Sequence, residues 1–397
     1  MPPITKNQSQ RKWPTLTCIA PFNNPHIVPF YNEVSNSARF CTTLVNLHPI
    51  SEARKKLGWL EMETNNGWLQ PWRSNRDRLQ FFWKLVTSDL VVFPGFFHTR
   101  TLPAYHLLRK FRFGKSILWS EPFLDHPSVI DEPSLKRIAR KIMLKPFNHK
   151  NYQFLAMGEG ADKDYLEVGM NHWDYYQFLF TVETEIKSSG KLSPSNGGKK
   201  IVFCGSLTKR KGVDVLIEAL AGLEDDCFSY ELTIVGDGPE RSNLERLAQQ
   251  SGVANNIRFI GSKPVNQVNK ILKQQDLLVL PSRYDGWGAV INEAMACSLA
   301  VIASDKVGSR KPLIKNGYNG FTFKSESPKD LREKLLKTLS NENTLAKFKL
   351  ESRRRALLFS PASVSTKFLD FCETIIKNER YFTEDEILAN LNDQLQI

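Results

Sequence analysis

The segment Asp276-Leu-Leu-Val-Leu-Pro-Ser-Arg-Tyr-Asp-Gly-Trp-Gly-Ala-Val-Ile-Asn-Glu-Ala-Met-Ala-Cys297 joins a buried strand to a helix through a glycine turn. Its first part, residues 276–281, is almost continuously apolar, which is typical of a strand buried on both faces of a parallel sheet. Apolar residues at 289, 290, 294 and 297 then have the spacing of one helical face. A glycine turn that opens a helix leaves backbone N–H groups free to bind phosphate. We therefore expect an α/β domain with an anion site at this turn.

Two carboxylates accompany the turn. If the helix begins near Gly288, Glu293 lies roughly 7–8 Å along its axis from the N-terminus, a separation that suits a diphosphate and the ribose attached to it. A carboxylate accepts hydrogen bonds from two vicinal hydroxyls, so Glu293 suits a ribose and Asp285 suits hydroxyls beyond the diphosphate. Gly286 and Gly288 let the backbone approach a ligand closely. The simpler alternative is a helix start with acidic residues placed for the helix dipole.

Strands and helices alternate through the second half of the chain. Buried strands are predicted at 201–204, 230–235, 257–260, 276–281 and 299–303, with amphipathic helices between them, and this order favours a parallel, doubly wound sheet. Strands at 15–20, 40–45, 90–94, 115–119 and 154–157 are compatible with a second such sheet, whereas residues 175–180 do not show a recognisable strand. Ser327 and Pro328 predict a helix start by N-cap and N1 preference, with the helix running to about residue 339.

The best domain boundary is residues 186–200, a stretch rich in Gly, Ser, Pro and Lys without apolar periodicity. We predict an N-terminal domain over 1–185, this linker, a C-terminal domain over 201–360, and terminal helices over 361–397.

Composition limits the class of protein. The chain has 397 residues, 41% hydrophobic and 24% charged, as in ordinary globular proteins. Its six cysteines lack metal-ligand spacing and indicate reduced thiols. No apolar run reaches the length of a membrane span, and the first ten residues lack a signal-peptide core, so we expect a cytoplasmic location.

The net charge of +12 calls for an anionic partner. Basic residues cluster at 109–115 and again at 136–145, where they alternate with apolar residues as in a basic amphipathic helix. Two interpretations stay open, a peripheral contact with an anionic membrane and a solvated helix face. No nucleic-acid recognition motif is present, so nucleic acid is not an expected partner.

The Asp285-x7-Glu293 pattern, with Gly-Trp-Gly after the first acid, resembles the acidic-x7-acidic motif of retaining, GT-B-fold glycosyltransferases of family 4, the glycosyl transferases group 1. The first acid there is usually Glu, so Asp285 is one methylene shorter. Residues 205–212 resemble the family's Gly-Arg-Leu-x-x-x-Lys-Gly loop. Lys211 matches its Lys, Ser206 stands where Arg is usual, and Arg210 is a source of the missing charge.

The resemblance implies two Rossmann-like, doubly wound domains that face each other across a cleft, the N-terminal one binding the acceptor and the C-terminal one the nucleotide-sugar donor. It implies that the last helices cross back onto the N-terminal domain. Its catalytic candidates are Asp285, which contacts the sugar, Lys211 on the diphosphate, and His98 on a loop facing the transferred sugar. The full set implied for donor binding is Gly205, Ser206, Arg210, Lys211, Lys263, Gly286, Trp287, Gly288 and Glu293.

Three further residues at predicted strand ends, His26, Glu121 and His126, are candidates for the acceptor side. Asp162 and Asp164 have the spacing of a metal-binding Asp-x-Asp but fall at a predicted helix start. We expect neither a metal nor another cofactor, because in GT-B enzymes cationic side chains and helix N-termini bind the diphosphate.

The function implied is transfer of a sugar from a nucleotide-sugar donor to a glycan or lipid-linked acceptor, in surface polysaccharide or glycolipid synthesis, with the protein in the cytoplasm or peripheral at the inner face of the membrane. Two alternatives remain: a catalytically silent binding subunit of the same fold, since Asp285 and Ser206 both depart from the pattern within the donor site, and a nucleotide-sugar epimerase.

Overall fold

A computed structural model shows two parallel β-sheets, each flanked by helices. The structure describes residues 13–23, 26–56, 67–95, 102–110, 114–121, 134–148, 151–158, 160–171, 174–178, 181, 198–223 and 229–378. His98, His126 and residues 186–197 of the expected linker lie outside these residues.

The N-terminal sheet contains six parallel strands in the order β2-β1-β3-β4-β5-β6. Its elements are β1 (Thr15–Ala20), α1 (Val28–Asn36), β2 (Cys41–Asn46), α2 (Glu52–Lys56), α3 (Asn75–Thr87), β3 (Leu90–Phe93), α4 (Leu102–Lys110), β4 (Lys115–Ser120), α5 (Ser134–Leu144), β5 (Tyr152–Met157), α6 (Ala161–Glu167) and β6 (Asp174–Phe178). A short 3-10 turn, Lys145–Phe147, follows α5 directly.

The C-terminal sheet also has six parallel strands, in the order β12-β11-β10-β7-β8-β9. Its elements are β7 (Lys199–Cys204), α7 (Val213–Ala221), β8 (Tyr230–Val235), α8 (Arg241–Gln250), β9 (Ile257–Phe259), α9 (Val265–Leu272), β10 (Leu277–Leu280), α10 (Val290–Ala296), β11 (Ala300–Ser304), α11 (Arg310–Leu313), β12 (Gly320–Phe323), α12 (Pro328–Leu339), α13 (Glu342–Leu358) and α14 (Pro361–Lys377).

The strand predictions are confirmed to within about two residues at each end, and the doubly wound class is confirmed by both sheets. The α12 start is also confirmed, since Ser327 Oγ accepts a hydrogen bond from the Asp330 N–H at 3.2 Å. One expectation is wrong: residues 174–178 do form a strand, β6, which pairs in parallel with β5. Asp162 and Asp164 lie in the first turn of α6, as predicted.

Strand order reverses at one place in each sheet. In the C-terminal sheet β7 and β10 are neighbours while β8 and β11 lie on opposite sides of them, which is the dinucleotide-binding order. In the N-terminal sheet the reversal falls between β1 and β3. Ligands of doubly wound sheets bind beyond the carboxyl ends of the strands at such a switch point. The loops after β7, β10, β1 and β3 are therefore the places to look for a site.

The last helix, α14, packs on the N-terminal domain. The Phe368 ring meets Phe30 of α1 at 5.3 Å between centroids, and Phe371 meets Tyr176 of β6 at 4.9 Å. Arg39 adds ion pairs to Asp370 and Glu373, both at 2.7 Å. The α14 helix thus ties the end of the chain to the first domain.

Within the described residues, no helix combines the length and apolar character needed to span a bilayer. The five cysteines in the same part of the chain are free thiols.

Candidate active site

A cavity of roughly 300 Å³ lies at the switch point of the C-terminal sheet. It is bounded by the loops after β7, β8, β9 and β10 and by the first turns of α9 and α10. Its lining residues are His26, Cys204, Gly205, Ser206, Lys211, Val235, Gly236, Asp237, Ser262, Lys263, Val265, Val268, Asp285, Gly288, Ala289, Val290 and Glu293. Six of the nine residues proposed for donor binding are among them: Gly205, Ser206, Lys211, Lys263, Gly288 and Glu293.

The turn between β10 and α10 is held by backbone bonds to the turn after β11. The Asp285 N–H donates to the Lys306 carbonyl at 3.1 Å, and the Gly308 N–H donates to the Asp285 carbonyl at 2.9 Å. Gly288 adopts φ +85°, and a Cβ there would lie 2.7 Å from Val307 Cγ1. Glycine is therefore required at 288 both for its backbone conformation and for close packing.

The loop after β7 is fixed against the end of β10. Gly212 has φ +65°, and a Cβ at this position would lie 2.1 Å from the Pro281 carbonyl oxygen. The Arg283 N–H donates to the Arg210 carbonyl at 2.7 Å. This close contact aims Lys211 across the switch point, where its ammonium forms an ion pair with Asp285. Both side chains are largely buried, with 12% and 14% exposed.

Two residues implied for donor binding lie elsewhere. Arg210 does not line the cavity: its Nη1 donates to the Tyr284 carbonyl at 2.8 Å and lies 3.9 Å from Asp285 Oδ1, so it supports the turn. Trp287 is 2% exposed and packs in the core, where its Nε1 donates to Asn292 Oδ1 at 2.8 Å. The aromatic ring of the Gly-Trp-Gly turn thus supports α10 from the protein core through its hydrogen bond to Asn292. Gly286 lies at the cleft but outside the cavity lining.

Glu293 points from α10 into the cavity with 12% of its side chain exposed. Burial raises the pKa of Glu293 from 4.5 to about 7. Its Oε1 lies 3.7 Å from Nε2 of His26, which follows β1 of the other domain. Burial lowers the pKa of His26 to about 4, so the imidazole is neutral at pH 7 and the contact is not an ion pair. The two switch points therefore meet at this contact.

A second contact between the domains is made by Glu121, which directly follows β4. Its Oε2 lies close to Gly286: a Cβ added to Gly286 would be 2.4 Å from this oxygen. Desolvation, followed by the nearby Asp285 charge, raises the pKa of Glu121 to about 7, against the opposing effect of Lys211 and Arg210. Part of the residue nevertheless remains exposed to solvent. Glu121 thus places an N-terminal carboxylate beside the Lys211–Asp285 pair.

A third close contact between the domains joins Gly158 to the backbone of Gly286. Gly158, after β5, has φ +86°, and a Cβ on it would lie 2.5 Å from the Gly286 carbonyl oxygen. Sequence reasoning did not single out Gly158 as a contact, and it missed Asp237 in the cavity wall. The signal for Asp237 was its place in Gly-Asp-Gly after a strand. Across the part of the chain that the structure describes, no cluster of three or more His, Cys, Asp or Glu has a metal-binding arrangement.

Known proteins resemble this chain in the C-terminal domain, which contains most of the cavity lining. Residues 185–355 match the family model described as glycosyl transferases group 1. An uncharacterized glycosyltransferase of Methanocaldococcus jannaschii is 35% identical over 141 residues, which cover 36% of this chain and 38% of that protein. The alpha-D-kanosaminyltransferase of Streptomyces kanamyceticus is 32% identical over 139 residues, which cover 34% of this chain and 36% of that protein. The matched segments thus span well under half of these relatives.

The likeness to solved structures extends over both domains. A glycosyltransferase from Rickettsia africae superposes with a TM-score of 0.64 at 18% identity, covering 93% of this chain and all of that one. Anabaena HepE in complex with UDP superposes with a TM-score of 0.66 at 15% identity, covering 91% of this chain and all of that one. These likenesses, together with the two parallel sheets, show a GT-B fold.

Proposed function

We propose that this chain, whose residues 185–355 carry the glycosyl transferases group 1 region, is a retaining glycosyltransferase that moves a sugar from a nucleotide-sugar donor to an acceptor. The observation that carries the proposal is the convergence of Lys211, Asp285 and Glu293 on one cavity at the switch point of the C-terminal sheet. One cation and two carboxylates around a single cavity suit a diphosphate that lies between a ribose and a sugar.

Glu293 is proposed to bind the ribose. Its carboxylate is buried deep in the cavity, where two vicinal hydroxyls can replace the water that it loses. Lys211 is proposed to bind the diphosphate, assisted by Lys263, which also lines the cavity. Charge grows on the departing diphosphate as the glycosidic bond breaks, and a fixed ammonium stabilises that charge more in the transition state than in the ground state.

Asp285 is proposed to change partners when the donor binds. In the free protein its carboxylate is paired with Lys211. A diphosphate offers Lys211 a second anion, so Asp285 becomes available to accept hydrogen bonds from sugar hydroxyls. Arg210 keeps the turn in place through the Tyr284 carbonyl during this exchange.

The N-terminal domain is proposed to bind the acceptor. Glu121 lies beside the Gly286 turn, and we propose that an acceptor hydroxyl approaches the sugar on this side of the cleft. His26 completes the donor cavity from the same side, and His98 is proposed to face the transferred sugar. In the retaining step the bond from the anomeric carbon to the donor phosphate oxygen breaks. The bond to the acceptor oxygen forms on the same face, and the acceptor proton passes to the leaving phosphate.

The reaction is proposed to need neither a metal nor another cofactor, because Lys211 and Lys263 supply positive charge at the diphosphate. UDP-sugars are the first donors to test, since the Anabaena neighbour was solved with UDP. The acceptor is proposed to be a glycan or a lipid-linked saccharide in surface polysaccharide or glycolipid synthesis. The protein would then work in the cytoplasm, at the inner face of the membrane.

The first test is donor-induced thermal stabilisation of the full chain by UDP-, GDP-, ADP-, CMP- and dTDP-sugars, with and without Mg²⁺. A donor at 100 times its Kd should stabilise the protein by about 2.7 kcal/mol. Lys211→Ala should remove this shift. Lys209→Ala, an exposed lysine two residues away in the same loop, should leave it intact. A shift that needs Mg²⁺ would contradict the metal-free proposal.

Transfer is tested with the donor that binds. Release of the nucleoside diphosphate in the presence of an acceptor extract should fall by at least about a hundredfold in Lys211→Ala, the usual cost of removing a charge-stabilising donor. Donor binding without release of the nucleoside diphosphate under any acceptor condition would favour the silent binding subunit. Interconversion of two nucleotide sugars without an acceptor would favour an epimerase.

A further inference from the structure

Three neighbouring helices of the N-terminal domain expose large apolar side chains. On α3, Leu79 is 71% exposed and Trp83 is 68% exposed. On α5, Ile142 is 67% exposed, and the other exposed apolar residues of α4 and α5 are Leu107, Leu108, Ile138 and Met143. Single exposed apolar residues are common, but seven on three adjacent helices indicate an interaction surface. We call the outward sides of α3, α4 and α5 the outer helix face.

The three helices form one layer over the same side of the sheet. Tyr105 of α4 packs against Phe81 of α3 at 5.0 Å between ring centroids. On its other side α4 reaches the 3-10 turn after α5, where His106 packs against Phe147 at 5.8 Å. Phe81 and Phe147, with Leu144 of α5, belong to one buried cluster. The inward sides of the helices are therefore fixed on a common core.

Helical spacing then places the exposed residues outward. Leu79 and Trp83 are separated by four residues and share one side of α3, opposite the buried Phe81. Ile138 and Ile142 have the same separation on α5, with Leu144 buried. The apolar stripes of the outer helix face consequently point away from the sheet together.

Charge distinguishes the class of partner. Residues 73–150 contain fifteen Lys and Arg but only six Asp and Glu, which accounts for most of the net charge of +12. Arg76 lies three residues before Leu79 on α3, Lys141 lies one residue before Ile142, and Lys145 follows three residues after it; all three are exposed. The three helices contain one acidic residue, Asp77, which accepts a hydrogen bond from the Gln70 N–H at 2.9 Å.

We propose that the outer helix face docks onto an anionic phospholipid bilayer. Aliphatic residues and a tryptophan with flanking cations match a membrane interface, where apolar side chains enter the acyl boundary and the cations meet the headgroups. A nucleic acid would satisfy the cations but leave Leu79, Trp83 and Ile142 in water. This surface lies outside the cavity, and it deepens the proposed use of a lipid-linked acceptor.

The test is flotation of the full chain with phosphatidylcholine vesicles, with and without phosphatidylglycerol. The wild-type protein should float only with anionic vesicles and should be released by salt. Trp83→Ser/Ile142→Ser should reduce the bound fraction by roughly tenfold or more, since both side chains lose their apolar burial. The matched control is Leu350→Ser/Leu357→Ser, which changes two exposed leucines of α13 in the other domain.

Charge is tested separately with Lys141→Glu/Lys145→Glu, which should abolish anionic selectivity, against Lys324→Glu/Lys329→Glu near the start of α12. Unchanged thermal midpoints will show that the variants are folded. No flotation, or equal loss in the control variants, would overturn the proposal. So would self-association of the wild-type protein in sedimentation that Trp83→Ser/Ile142→Ser abolishes, because the occupant would then be a second copy. Donor-induced stabilisation is read without vesicles, so failure of this surface leaves the transferase proposal standing.

Discussion

Glu293→Gln should make the free protein more stable at alkaline pH while weakening its binding of donor. The folded state raises the pKa of Glu293 from 4.5 to about 7 because the carboxylate is buried. The folded protein therefore holds this proton more tightly than the unfolded chain does. Its stability falls as pH rises from about 4.5 to about 7 and is constant above that, since ionisation of a buried carboxyl opposes folding. Gln is neutral throughout and escapes this loss.

The size of the stability change follows from the raised pKa of Glu293. A pKa raised from 4.5 to about 7 corresponds to about 3 kcal/mol of lost stability once the carboxylate is fully ionised. With 2–4 °C per kcal/mol for a domain of this size, Glu293→Gln should raise the thermal midpoint by about 6–12 °C at pH 8.5. Near pH 5 most of the carboxyl is protonated in the folded state, and the gain should shrink below about 1 kcal/mol.

Donor binding should change in the opposite direction. A carboxylate that accepts hydrogen bonds from ribose hydroxyls contributes about 1.5–3 kcal/mol per charged bond, so Glu293→Gln should raise the donor Kd by roughly 10- to 150-fold. The assay is calorimetric melting at pH 5 and 8.5, with and without the donor. Glu218→Gln, an exposed glutamate of α7, is the matched control and should change neither quantity. A variant that is destabilised at both pH values, or equally stabilised at both, would refute the account of Glu293.

Three further substitutions separate packing from ligand binding. Gly288→Ala should cost about 1–3 kcal/mol more than Gly317→Ala in chemical unfolding, because both have positive φ but only the Cβ at 288 would meet a neighbour, at 2.7 Å; equal costs would contradict this. Gly158→Ala should lower kcat by roughly tenfold or more and leave the donor Kd unchanged, because the added Cβ would push the two domains apart. An unchanged kcat would show that the Gly158–Gly286 contact is not needed. Trp287→Phe should lose about 1 kcal/mol of stability with its indole hydrogen bond and leave donor Kd unchanged, and a weakened Kd would place the ring in the site after all.

The sequence predicts strands well where they are buried on both faces. Leu277–Leu280 and Ala300–Ser304 are central and fully buried, so their apolar runs are unmistakable. The two strands that the sequence did not predict, β6 and β12, are edge strands of their sheets. An edge strand pairs on one side only, and β12 has two half-buried residues in the middle of its four. Its sequence therefore lacks the continuous apolar run on which the prediction depends.

The site was predictable where a residue's role depends on its own loop. Lys211, Asp285 and Glu293 each follow a strand at the switch point, so the fold alone brings them together. For Trp287 and Arg210, position in the loop does not fix the direction of the side chain. Trp287 turns under α10 to Asn292, and Arg210 turns to the Tyr284 carbonyl.

The contacts across the cleft depend on the relative placement of two domains, which local sequence patterns do not encode. His26 meets Glu293, and Glu121 meets Gly286, across 267 and 165 residues of chain respectively. Both pairs join an N-terminal strand end to the β10–α10 segment, so any motion that opens the cleft breaks both at once. Because burial in this closed arrangement raises the pKa of Glu293 to about 7, opening the cleft to water should return it towards its ordinary value. Rising pH between about 4.5 and about 7 should therefore favour the open cleft. Donor binding should close it by replacing water around Glu293 with ribose hydroxyls.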